Sequence, residues 1–71
     1  MTVMETARYE FRVAQRLSAT AVAAFPELSV TDTTTGAVLF GHIRDDSELH
    51  GILSRLQLLG LTILDVHRLP D

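Results

Sequence analysis

Polar and apolar positions alternate near the start of the chain. Tyr9, Phe11 and Val13 are separated by Arg8, Glu10 and Arg12. A period of two, with aromatic and β-branched residues, predicts a half-buried strand over residues 8–17. Ser18 offers a hydroxyl as an N-cap. Residues 19–25 then read as a short helix, which Pro26 ends because the residue before proline is pushed out of the α region. So short a helix must be held by packing, here expected through Val22 and Phe25. A Thr-rich second strand follows over 28–34, with a turn at 32–36 and a third strand over 37–44. The strongest periodicity comes next. Leu49, Ile52, Leu53, Leu56 and Leu59 form one apolar stripe at helical spacing. Asp45 is its N-cap, Glu48 completes a capping-box spacing, and Gly60 is placed to end it. Residues 61–69 read as a last strand.

The order β-α-β-β-α-β limits the topology, because each strand–helix–strand crossover is right-handed. Two interleaved units give a four-stranded antiparallel sheet in order 4-1-3-2 with both helices on one face. The expected class is therefore α+β with a ferredoxin-like arrangement, as a single domain over residues 1–71. A β-meander with flanking helices fits the alternation of strand and helix less well.

Composition narrows the function. The chain has 71 residues, no Cys, and nine carboxylates against six basic residues, for a net charge of −3. All six basic residues are Arg. The missing cysteines exclude disulfides, thiolate metal sites and thiol catalysis. The acidic balance argues against nucleic-acid binding through a broad basic surface. The first five residues do not read as a signal peptide. The longest apolar run, 21–25, is far below the ~20 residues that span a bilayer. A cytoplasmic protein without membrane or nucleic-acid partners is the expectation. A domain this small buries little of its surface, and without disulfides or metal, association with further copies is the common remaining source of burial.

Strand parity assigns the uncovered face of the sheet. Placing Arg44 under the helices would bury a charge at a cost of several kcal/mol. Leu39, Gly41 and Ile43 therefore face inward, with Gly41 allowing close approach of a helix, and Val38, Phe40, His42 and Arg44 face outward. In the first strand Arg8, Glu10 and Arg12 face outward. In the last, Leu64 and Val66 are expected inward and Ile63, Asp65 and His67 outward. His42, Arg44 and His67 should gather near Arg8 and Glu10, with Phe40 and Ile63 further along. Two occupants compete for this face. Val38, Phe40 and Ile63 form an apolar patch suited to a homodimer, a higher oligomer or a larger protein partner. Arg8, Glu10, Arg12, His42, Arg44 and His67 form a candidate anion or metabolite site, since Arg grips carboxylate and phosphate through paired hydrogen bonds.

Catalytic signals are sparse. Glu10 can orient His42 or His67 across strands, but such pairs are common for structural reasons and no nucleophile motif accompanies them. A metal would require His42, His67 and Glu10 or Asp65 to converge, and neither a metal nor a cofactor is expected. If both imidazoles lay in a seam beside Arg44, protonation would add like charge and loosen it. His50, four residues after Asp46, reads as a solvated helix residue. Leu58 lies opposite the apolar stripe of its helix, beside Gly51 and Ser54, and is a candidate second contact surface.

Residues 41–68 resemble the second half of small actinobacterial proteins of unknown function. The element order also resembles ACT-like regulatory domains. That likeness implies effector binding at the loop between the first strand and first helix, here Arg16-Leu17-Ser18-Ala19, which has no Gly. Neither resemblance carries a catalytic residue to this chain. The expected role is a non-enzymatic, self-associating regulatory module. The alternatives are a small-anion sensor and, further off, an enzyme of the dimeric α+β-barrel kind.

Overall fold

A computed structural model describes residues 6–70; the reading of the first five residues falls outside them. The elements are β1 (Ala7–Val13), α1 (Ala19–Ala23), β2 (Ser29–Asp32), β3 (Ala37–Ile43), α2 (Asp46–Leu58) and β4 (Ile63–Leu69). The strands form one antiparallel sheet in order β2-β3-β1-β4. This is the ferredoxin-like α+β arrangement that the alternation of elements predicts.

β1 is central, and its inward row sets the core. Phe11 is fully buried, with Leu39 of β3 on one side and Val66 of β4 on the other. Val13, Ile43, Ile52, Leu56 and Phe25 join them in one cluster, so both helical segments pack on the same face. Within α1 it is Ala21 that is buried, while Val22 is 40% exposed and does not supply the packing expected of it. Five residues from Ala19 give only one turn, and Phe25 reaches the core from just beyond it. Ser18 caps this turn by accepting from the Ala21 amide at 3.1 Å. β1 is shorter than the alternation implied. Past Val13, the Ala14 amide donates to the Thr62 carbonyl at 3.0 Å, and Gln15 bonds both the Thr62 amide and hydroxyl.

Two glycines are set by geometry. At Gly36, in the β2–β3 turn, an added Cβ would lie 2.1 Å from the Val13 carbonyl oxygen. Gly41 faces inward as expected, but its close neighbours are Leu28 and the Glu27 carbonyl, in the connection before β2, and not a helix.

The last strand departs from simple parity. Asp65 pairs with Arg12, but Val13 pairs with Ile63, so Leu64 is an extra residue in a bulge. Ile63 therefore packs against the core and is not on the open face, while Leu64 is 64% exposed and not buried. Both assignments from alternation are reversed, because one inserted residue flips every side chain on its far side.

Arg55 of α2 ties down the chain after α1. Its guanidinium donates to the Ala24 carbonyl at 2.7 Å, forms two hydrogen bonds with the Glu27 carboxylate, and lies 5.1 Å from the Phe25 ring centroid. These hydrogen bonds hold the Glu27 carboxyl below its usual pKa against a smaller opposing effect of burial. Glu27 is still 32% exposed at its side chain, so solvent screens the pair.

Arg55→Gln should destabilise the fold by about 1–2 kcal/mol in urea titrations at pH 7. The Glu27 contribution is present above its unfolded pKa and fades as pH falls through the depressed folded value. The gap between Glu27→Gln and the parent should therefore close below about pH 4.

Candidate functional site

The uncovered face is a small lattice fixed by pairing register. One row reads His42, Arg8, Leu69 across β3, β1 and β4. The next reads Ser29, Phe40, Glu10, His67 across all four strands, and the third reads Thr31, Val38, Arg12, Asp65. Arg8, Glu10, Arg12, Val38, Phe40, His42, Asp65 and His67 thus share this face, as parity places them.

The polar groups separate to the two sides of β1. On the β4 side, His67 Nε2 is 3.2 Å from Glu10 Oε2 and its Nδ1 is 2.6 Å from Asp65 Oδ2. Of the two imidazoles on strands flanking Glu10, the structure pairs it with His67. On the β3 side, the side chains of Arg8 and His42 have no hydrogen-bond or ion-pair partner among the described residues. With Ser29, Phe40 and Gly41 they line an open depression of about 580 Å³, a size typical of small-molecule sites. Ser29 carries no charge to single it out in the sequence, yet parity with the core-packed Val30 turns it outward.

Arg44 leaves this constellation. Its guanidinium forms two hydrogen bonds with Glu48 in the first turn of α2 (3.1 and 3.3 Å), and its amide donates to the same carboxylate at 2.8 Å. Asp45 caps the helix by accepting from the Glu48 amide at 2.8 Å. Glu48 thus reaches back one residue further than a capping box requires, to Arg44 and not to Asp45. The expected gathering of His42, Arg44 and His67 does not form. His42 and His67 lie on opposite sides of β1 and Arg44 is engaged at the helix, which removes the premise of a seam loosened by these three charges. Among the described residues, no group of three or more side chains is arranged to hold a metal.

Leu58 is 85% exposed, as its position opposite the stripe implies, and Leu59 and Leu64 are also exposed around the α2–β4 connection. His50 is exposed on α2. In the β1–α1 loop, the Ser18 hydroxyl is committed to capping α1. No helix among the described residues is long and apolar enough to cross a membrane.

Fold and face together define a small ferredoxin-like α+β domain with an uncovered, mixed-charge sheet surface. Residues 8–67 match the model of a family described as a domain of unknown function (DUF8691), and the chain belongs to that family. No curated protein and no solved structure matches it significantly.

Glu48→Ala should cost about 1 kcal/mol in chemical denaturation, because it removes an acceptor from the Arg44 amide at the helix start. Arg44→Gln should cost less, since that side chain is 78% exposed. Equal costs would show that the ion pair, and not the backbone hydrogen bond, matters at this junction, since Glu48→Ala removes both.

Proposed function

We propose that this domain is a non-enzymatic module that associates with a second copy of itself through the uncovered face of the sheet. The observation that carries this reading is the pair Val38 and Phe40, side by side on a face that no helix covers. They are flanked by charges of both signs. Arg8 and Arg12 balance Glu10 and Asp65 on this face. Such a face can meet its own copy without an excess of like charge, whereas a strongly acidic or basic partner calls for a face of one sign. A two-fold contact uses one patch twice, and a chain of 71 residues gains proportionally more from extra burial than a large one. Regulation or scaffolding by contact is the role that follows, and a larger protein partner is the competing occupant.

Two substitutions test this while finding partners within their own sheet. Val38→Glu places a carboxylate opposite Arg12, and Phe40→Lys places an ammonium opposite Glu10. In sedimentation-velocity runs the parent should be dimeric or larger. Each variant should dissociate with an association constant lowered about tenfold or more, with its melting temperature little changed. A parent that stays monomeric at high micromolar concentration removes the reading.

A further inference from the structure

We infer that the depression on the β2–β3 side of the open face binds a small planar carboxylate with an apolar body. The inference does not depend on association. Its basis is the chemistry of the five lining residues, Arg8, Ser29, Phe40, Gly41 and His42. Every polar side chain among them can donate a hydrogen bond, and none is acidic. The nearest carboxylate in register, Glu10, is drawn to His67 on the far side of β1, at 3.2 Å. Its carboxylate is therefore turned away from the depression.

The arrangement separates a charged end from an apolar floor. Arg8 and His42 are cross-strand partners and form one end, while Phe40 and Ser29 form the next row. The Arg8 guanidinium is a planar fork that matches a carboxylate with two parallel hydrogen bonds. The His42 imidazole beside it supplies a further donor, and the Ser29 hydroxyl another from the row of Phe40. The Phe40 ring presents apolar surface one row away, where a flat body attached to the carboxylate would lie. Inorganic phosphate would satisfy the donors and leave the ring unused. A neutral aromatic amide would cover the ring and leave the guanidinium without its anion. Both halves of the ligand are therefore specified.

The test uses the whole chain, labelled with nitrogen-15, and sodium benzoate as the probe. Backbone resonances of residues 8, 29 and 40–42 should shift saturably, with a Kd on the order of 1 mM for so small a molecule. Benzamide and inorganic phosphate should each bind at least about tenfold more weakly. Arg8→Gln should weaken benzoate about tenfold while the rest of the spectrum stays unchanged. Repeating the titration in the Val38→Glu variant, whose substitution lies outside the depression, separates this site from self-association. Retained shifts there support a site built by one chain, and their loss overturns it. Equal affinity for benzoate and benzamide would remove the anion-binding half, and equal affinity for benzoate and phosphate the apolar half. Shifts scattered over the chain, or none, would dispose of the site altogether.

Discussion

The inward row of β1 is the constraint on which the rest depends. β1 is hydrogen-bonded on both edges, so its alternation is imposed on two neighbours at once. Once Phe11 is fixed under the helices, Leu39 and Val66 must join it. Arg8, Glu10 and Arg12 are then committed to the other side. A one-residue slip would place three charges in the core and Phe11 in water, at several kcal/mol for each charge. The composition of the open face is therefore a by-product of core burial, and its charged residues need no separate selection to appear in rows.

The helices explain which face stays bare. Ile52 and Leu56 are fully buried against the sheet, while α1 contributes little beyond Ala21 and relies on Phe25 just after it. Arg55 compensates for the brevity of α1 by bonding the Ala24 carbonyl and Glu27 from α2. A polar clamp is suited to this position because the chain after α1 carries a carbonyl that the single turn leaves without a partner.

Much of this was legible in the sequence because two periodicities carried it. The 3.6 period of Leu49, Ile52, Leu53 and Leu56 gave α2, and the period of two in β1 and β3 gave the sheet and the sides of Phe40, His42 and Arg8. The failures fall where periodicity breaks. Leu64 is an extra residue in a bulge, and nothing in Leu61-Thr62-Ile63-Leu64 signals which of two neighbouring leucine or isoleucine side chains is left unpaired. Unbroken alternation therefore turns Ile63 outward, and the bulge turns it in. Arg44 illustrates a different limit. It follows the last residue of β3, and beyond the strand the local hydrogen-bond demand of a helix start, met by Glu48, overrides parity. Ser29 marks a third limit, since its parity was readable but its place in a depression depends on tertiary shape.

The separation of charge across β1 gives the open face two different physical characters. On the β4 side an imidazole lies within reach of two carboxylates, and the polar groups largely answer one another. Such a surface carries partners for its own imidazole within the chain. On the β3 side the donors of Arg8 and His42 face solvent beside an aromatic ring. Covering that side with a second copy would strip water from a guanidinium unless an acceptor took its place. An anion held there would supply the acceptor, but its apolar body would cover Phe40, the ring that a second copy would also use. By reciprocity the coupling must be equal in both directions. Phe40 belongs both to the apolar pair on β3 and to the lining of the depression, so association and ligand binding would draw on the same ring.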